Sequence, residues 1–191
     1  MKIKSVRKIT DFKHLNLFSI QYTDRGNNEK QWIFASRSEK SNPLEKDYSK
    51  PDAVVIVPFH AREKKWVVIK EFRLALGGYQ YGFPAGLVDE EESVDQAARR
   101  ELFEETGLSM TRIIRKSPAV FSSSGMTDES VSLLFVECEG EPCTRFNEPS
   151  EDIEVLLLSV DQAARMIEDS SIRFDVKTWI VLNSIVCQEN M

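Results

Sequence analysis

The sequence contains few residues of the types that define several protein classes. Its 191 residues include three cysteines, two histidines, eight glycines and seven prolines. Three cysteines are too few for a disulfide framework, and no apolar segment follows the basic N-terminus as in a signal peptide. We therefore expect reduced thiols in a cytoplasmic protein. No apolar run approaches the ~18–20 residues that cross a bilayer, so we expect no membrane partner.

Basic side chains are also outnumbered. The chain has 25 Lys and Arg against 31 Asp and Glu, a formal net charge of -6. Proteins that bind nucleic acid on their own usually carry a basic patch, so this excess of acidic residues argues against a nucleic-acid partner. If the substrate is anionic, positive charge must come from a few local Arg or Lys residues or from bound metal ions.

Strand-like segments dominate the chain, with one helix near the middle and two near the end. Polar residues at 39–52 include two prolines and indicate a linker or a long loop. The predicted strands are Phe12–Tyr22, Lys30–Ser36, Ala53–Phe59, Lys65–Phe72, Thr111–Val120, Ser130–Cys138 and Ile153–Ser159. The predicted helices are 93–107, Val160–Glu168 and Asp175–Cys187. This order predicts a mixed α/β (α+β) fold, with Trp66 and Trp179 in its core.

The central helix has recognisable ends and one apolar face. Ser93 and Gln96 fit a capping box, and Gly107 fits a C-terminal glycine cap. Residues at helical spacing form an apolar stripe, which comprises Val94, Ala97, Ala98, Leu102 and Leu108. We expect this stripe to pack against the core.

Two glutamates of this helix fall inside the apolar stripe. At 100° per residue, Glu101 and Glu105 point toward the core and Glu104 lies on the flank. A solvated acidic face is the usual explanation for a Glu-rich helix, but it would place these side chains on the opposite side. Two inward carboxylates repel each other and lose solvation, and a cation between them would offset both costs. Hard oxygen ligands favour Mg²⁺ or Mn²⁺.

The residues around this helix match a known pattern. Gly86, Glu92 and the run Arg100–Leu108 (Arg-Glu-Leu-Phe-Glu-Glu-Thr-Gly-Leu) have the residue types and spacing of the Nudix box. The sequence therefore resembles the Nudix hydrolase superfamily. The resemblance implies the Nudix fold, an α/β/α sandwich around a mixed β-sheet, and hydrolysis of a nucleoside diphosphate linked to another group.

Segments outside the box resemble the ADP-ribose (ADP-sugar) pyrophosphatase branch. These segments are Trp32–Arg37, Phe72-Arg73, Gly77–Tyr79, Phe83–Leu87, Ser117–Val120 and Glu151–Ile153. Members of this branch commonly form homodimers through N-terminal strands, so the resemblance implies a homodimer. We divide the chain into a β-rich N-terminal extension, 1–45, for dimerisation and substrate contacts, and a Nudix domain, 46–191.

The resemblance also implies residue roles. The metal ligands would be Glu101, Glu104 and Glu105 with the carbonyl of Ala85, and the structural members of the motif would be Gly86, Glu92, Arg100 and Gly107. Glu151 matches the position of the general base, with Glu148 as the alternative, and Glu104 and Glu105 would support catalysis. Without the resemblance, 147–152 would be interpreted as an acidic surface loop.

Substrate contacts follow from the same resemblance. Trp32 would stack on the base, Arg37 and Arg73 would contact phosphate or base, and Met126 and Asp128 would lie near the distal sugar. From the residues alone, a strand Trp is usually a core residue and single Arg residues are usually solvated. His14 is a second stacking candidate, although a surface His is the simpler interpretation.

Two positions depart from the branch. Gly82 stands where many members have a carboxylate, and Ser124 stands where they have a proline. The expected reaction is hydrolysis of ADP-ribose to AMP and ribose 5-phosphate. These departures leave a GDP- or UDP-sugar open as the substrate, and a non-catalytic ADP-ribose sensor is the alternative of a different class.

Overall fold

A computed structural model describes residues 1–38 and 42–189. Eleven strands and three α-helices occur in this described part of the chain. The strands are β1 (Lys2–Lys8), β2 (Asn16–Thr23), β3 (Glu29–Ser36), β4 (Ala53–His60), β5 (Lys65–Arg73), β6 (Gly78–Gly82), β7 (Ala85–Leu87), β8 (Ser109–Lys116), β9 (Val120–Phe121), β10 (Ser130–Glu139) and β11 (Ile153–Leu158). The helices are α1 (Val94–Thr106), α2 (Val160–Glu168) and α3 (Val176–Glu189).

The chain forms two compact units. Unit 1 comprises Met1–Ala53 and Pro118–Val131, and unit 2 comprises Val54–Ser117 and Ser132–Met191. Our division of the chain at residue 45 stays a prediction.

Unit 1 contains an antiparallel three-stranded sheet in the order β1-β2-β3. The expected strand at Phe12 begins only at Asn16, so that part of the prediction is wrong. The Asn16 side chain closes a turn instead: its Oδ1 accepts from the Phe12 N–H and its Nδ2 donates to the Phe12 carbonyl, each at 2.7 Å. Asn and Asp side chains compete with strand pairing in this way.

Unit 2 holds the strands around which the three helices pack. The main path of the sheet is β11-β5-β4-β10-β8, and β6 and β7 pair with β5 and β4. The predicted strands Ala53–Phe59 and Lys65–Phe72 are confirmed as β4 and β5, which pair antiparallel with Phe59 opposite Trp66. Residues 54–58 of β4 are all buried, which means that both faces of the sheet are covered. This is the mixed α/β architecture that the sequence predicts.

The core of unit 2 lies between the sheet and α1. Ala97, Ala98 and Leu102 of α1 are fully buried with residues of the central strands, including Val54, Ile56, Val67, Leu134 and Val136. Removing their apolar surface from water stabilises this packing by about 25 cal/mol per Å². The apolar stripe predicted for the central helix is therefore the face that fixes α1 on the sheet.

Two other expectations differ from the structure. Trp179 on α3 is exposed rather than in the core, because it lies on a face of the helix that the described residues leave uncovered; Trp66 is half-buried. The segment predicted as one strand from Thr111 to Val120 is two strands, β8 and β9. Pro118 lies between them, and a proline has no N–H to donate to a ladder. None of the helices in the described residues combines the length and apolar character needed to span a membrane.

Candidate active site

Local sequence determines where α1 begins and ends. The Ser93 side chain accepts from the Gln96 N–H and Gln96 accepts from the Ser93 N–H, which confirms the predicted capping box. Gly107 adopts φ 71°, a left-handed conformation that favours glycine, and its N–H donates to the Phe103 carbonyl at 2.8 Å. These caps fix the residues at which α1 begins and ends.

The three glutamates differ in burial as their helical positions require. Glu105 is 5% exposed. The side chain of Glu101 is 12% exposed and that of Glu104 is 45% exposed. Glu101 and Glu105 therefore point inward, and Glu104 lies on the flank.

The loop before α1 approaches these carboxylates closely. The Ala85 N–H donates to Glu105 Oε2 at 3.1 Å. A Cβ added to Gly86 would lie 1.8 Å from Glu101 Oε1. Only a glycine at position 86 leaves the Glu101 carboxylate where it is, against the backbone.

Arg100 joins the acidic groups of the motif. Its guanidinium donates to Glu92 (2.9 and 3.0 Å), Glu101 (2.7 Å), Glu104 (3.0 Å) and the Leu87 carbonyl (3.0 Å). These bonds tie the loop that precedes α1 to the helix. The hydrogen bonds from Arg100 also lower the pKa of Glu92, and those bonds raise the pKa of Arg100 above its usual value.

Burial and mutual repulsion keep two carboxyl groups from ionising easily. Burial raises the pKa of Glu101, Arg100 opposes that rise, and the charges of Glu104 and Glu151 add to it. Burial is the largest cause that raises the pKa of Glu105 well above 4.5. The charge of Glu101 raises it further, and the charges of Glu71 and Glu151 do so more weakly. Buried carboxyl groups with raised pKa values that interact with each other are common at functional sites.

Glu151 approaches the site from the loop at 140–152. Its Oε2 accepts from the Glu148 N–H at 2.8 Å, and its N–H donates to the Glu148 carbonyl at 2.9 Å. The charge of Glu151 contributes to the raised pKa of both Glu101 and Glu105. Glu148 contacts Glu151 through its backbone N–H and carbonyl.

Two residues near the site were missed by the sequence reasoning. Thr178 of α3 is fully buried, and its Oγ1 accepts from the Phe83 N–H at 3.0 Å, which anchors the segment leading to Ala85. The charge of Glu71, on β5, raises the pKa of Glu105, and the Glu71 carboxylate pairs with Arg73 Nη1 at 2.5 Å. Alternation along β5 places Glu71 on the same face as Val67, which packs in the core beneath α1. That alternation is the signal that could have identified Glu71.

The remaining substrate-contact candidates lie in unit 1, around the end of β3. Trp32 is 46% exposed, so it is not a core residue. The Ala35 N–H donates to the Met126 carbonyl at 2.8 Å, and the Met126 side chain is exposed. Asp128 accepts from the Ser36 hydroxyl at 2.9 Å, and Arg37 pairs with Glu129 at 3.4 Å. His14 is exposed, as the simpler interpretation predicts.

The donor set has the chemistry that a divalent cation needs. Glu105 is a nearly buried carboxylate to which no Lys, Arg or His pairs within residues 1–38 and 42–189. In this arrangement, no three His, Cys, Asp or Glu side chains of the described residues converge at metal-binding distances, and Arg100 holds Glu101 and Glu104. The oxygen ligands therefore fit a hard cation in type.

Comparisons with known proteins identify relatives of this chain. An ADP-ribose pyrophosphatase of Saccharomyces cerevisiae is 33% identical over 149 residues, which are 73% of this chain and 59% of the relative. An ADP-ribose pyrophosphatase of Escherichia coli (strain K12) is 29% identical over 136 residues, 65% of this chain and 63% of the relative. An ADP-sugar pyrophosphatase of Mus musculus is 34% identical over 93 residues, 47% of this chain and 42% of the relative. The matches to the first two relatives span about three fifths of their lengths.

A solved structure and a family model complete the comparison. The structure, described as that of an ADP compounds hydrolase, superimposes with a TM-score of 0.72 at 18% identity and covers 98% of this chain and 95% of its own. That likeness confirms the predicted fold. The model of the NUDIX domain matches residues 49–179, which include the whole motif from Gly86 to Leu108. The chain belongs to the NUDIX domain family.

Proposed function

We propose that this protein is a Mg²⁺-dependent hydrolase that cleaves the pyrophosphate bond of ADP-ribose to give AMP and ribose 5-phosphate. The observation that carries the proposal is the pair of inward carboxylates on α1, Glu101 and Glu105, held against the backbone of Ala85 and Gly86. The names of the relatives, ADP-ribose pyrophosphatase and ADP-sugar pyrophosphatase, support the substrate class.

The reaction adds one water across the bridging P–O bond. The water oxygen bonds to one phosphorus, the bridging oxygen leaves with the other, and two phosphate monoesters result. A bound divalent cation, Mg²⁺ or Mn²⁺, supplies charge neutralisation on the phosphates and activation of water. Glu101 and Glu105, with Glu104 and the carbonyl of Ala85, would hold it. The hydrogen bonds of Arg100 to Glu92 and to the Leu87 carbonyl would hold the loop against α1 and so keep these ligands together.

Glu151 is the residue that we assign as general base. It lies on a loop, and its charge contributes to the raised pKa of Glu101 and Glu105, which supports a role in accepting a proton from the attacking water. We expect Glu151→Gln to lower kcat by ~10²–10⁴-fold, the usual contribution of general acid–base catalysis. Glu148→Gln is the matched control, because Glu148 bonds Glu151 through its backbone only. A large loss in the control with none in Glu151→Gln would reverse the assignment.

Five side chains are proposed for the substrate contacts. Trp32 offers an exposed indole for stacking on the base, and Arg37 and Arg73 are cations suited to phosphate. Met126 and Asp128 are assigned to the distal sugar. The N-terminal strands would also form a homodimer, which light scattering of the whole protein tests.

A different nucleotide sugar is the second candidate, favoured by the surroundings of Gly82. A Cβ at Gly82 would meet no atom within 4 Å, so the space that a carboxylate fills in many branch members is open here. Ser124 lies exposed in the loop before Met126. Both positions concern substrate choice, because neither lies among the glutamates of α1.

A panel of nucleoside diphosphate sugars with product identification tests the proposal. We expect ADP-ribose to have the highest kcat/KM, with AMP and ribose 5-phosphate as products. If a GDP- or UDP-sugar has a kcat/KM tenfold higher than that of ADP-ribose, that sugar replaces ADP-ribose as the proposed substrate. Tight ADP-ribose binding with no turnover in Mg²⁺ or Mn²⁺ would make the protein a sensor.

A further inference from the structure

The loop at 140–152, which carries Glu151, is fastened to the C-terminal turn of α1. The Cys143 N–H donates to the Thr106 carbonyl at 2.9 Å, one of the carbonyls that a helix end leaves without an internal partner. A Cβ on Gly107 would lie 2.5 Å from Cys143 Sγ, so the loop crosses close over the end of the helix. This contact fixes where the loop begins.

A pair of aromatic rings makes the second contact. The ring centroids of Phe103, on α1, and Phe146, on the loop, lie 4.4 Å apart at an interplanar angle of 34°. The Arg145 guanidinium carbon lies 4.5 Å from the Phe146 centroid, a cation–π contact. Both rings remain more than one third exposed. Ring pairs of this kind contribute a free energy equivalent to about 2- to 10-fold in an equilibrium constant, so this contact holds the loop without locking it.

Hydrogen bonds order the short segment that joins Phe146 to Glu151. The neighbouring Asn147 amide, in the orientation that satisfies it, donates to the carbonyls of Thr144 (3.0 Å) and Glu104 (3.1 Å). The N–H of the next residue, Glu148, donates to the Glu151 carboxylate, and the Glu151 N–H donates to the Glu148 carbonyl. Displacing Phe146 from α1 would therefore displace the turn that orients the Glu151 carboxylate.

We propose that Phe103 and Phe146 form an aromatic clasp that holds the 140–152 loop on α1 and thereby positions Glu151 at the α1 glutamates. The clasp rests on the proposed function, in which Glu151 is the base. Phe103 and Phe146 are positioning residues that act through Glu151. The clasp also explains why a large aromatic side chain occupies a partly exposed position on a helix beside three glutamates.

Amide hydrogen exchange of the metal-free protein tests the clasp by a measurement that does not depend on catalytic activity. Phe146→Ala should speed exchange at the amides of Cys143, Glu148 and Glu151 about 2- to 10-fold, and Phe146→Tyr should restore it. Phe59→Ala is the matched control, because it removes a comparable ring pair, with Trp66 at 5.0 Å, from the β4–β5 hairpin. Unchanged exchange in Phe146→Ala, or equal acceleration in the control, would overturn the clasp.

A kinetic cycle tests the route through Glu151. Phe146→Ala and Phe103→Ala should each lower kcat about 2- to 10-fold with KM changed less than about twofold, and the double variant should lose no more than either one. In the Glu151→Gln background, Phe146→Ala should have no further effect on kcat. An equal loss in both backgrounds would refute positioning through Glu151. If the wild-type protein hydrolyses no nucleotide sugar, the proposed function fails, while hydrogen exchange still decides the clasp.

Discussion

Gly86 offers the sharpest test of how the site is built. In Gly86→Ala, the added Cβ would lie 1.8 Å from Glu101 Oε1, and real Cβ contacts are essentially never closer than 3.0 Å. The carboxylate must therefore move by at least about 1.2 Å, the difference between these distances. A displacement of about 1 Å in a catalytic group costs on the order of 10²-fold in rate, or about 2.7 kcal/mol of transition-state stabilisation.

The fold should tolerate the same change. The clash involves the end of a flexible side chain, and Gly86 does not adopt a positive φ. We therefore expect the free energy of unfolding, measured with denaturant, to change by less than about 1 kcal/mol. Steady-state kinetics with Mg²⁺ should show the loss in kcat/KM.

A matched control lies on the neighbouring strand. Gly82→Ala adds the same methyl group where no atom lies within 4 Å. It should keep kcat/KM within about threefold of the wild type. Full activity in Gly86→Ala, or an equal loss in Gly82→Ala, would refute the view that Gly86 is needed to seat Glu101.

Two further predictions concern stability. Because burial and Glu101 raise the pKa of Glu105 well above 4.5, the folded protein retains a proton that the unfolded chain releases above that value, so stability falls as pH rises through this window. In metal-free protein, Glu105→Gln should therefore raise the Tm at pH 7 and flatten its fall as the pH rises above the usual pKa of a glutamate; an unchanged slope in thermal melts would contradict this. Thr178→Val leaves the Phe83 N–H unpaired and should cost about 1–3 kcal/mol in denaturant unfolding, whereas Thr111→Val on exposed β8 should cost less than about 0.5 kcal/mol. Equal costs would show that the Phe83 bond is not needed.

Local signals predicted the elements that carry the site. The Ser93 capping box and Gly107 predicted both ends of α1, and helical periodicity predicted which glutamates turn inward. The helix Val160–Glu168 has the predicted bounds, with its own capping box at Ser159. These features depend on residues a few positions apart, so one sequence contains them in full.

Tertiary contacts determined what the sequence could not predict. Thr178 lies 95 residues from Phe83, and no local pattern connects them. The contact between Phe103 and Phe146 likewise joins a helix to a distant loop. The predicted burial of Trp179 was wrong because periodicity alone does not show which faces of a terminal helix are covered.

The most direct test measures turnover of ADP-ribose as a function of Mg²⁺ concentration in the wild type, Glu101→Gln and Glu105→Gln, with the products identified. We expect the wild type to need Mg²⁺ and to release AMP and ribose 5-phosphate. We expect each variant to lose ~10²-fold or more in kcat/KM, with the circular dichroism spectrum unchanged. Full Mg²⁺-dependent activity in both variants would contradict the proposal that these two carboxylates form the catalytic centre.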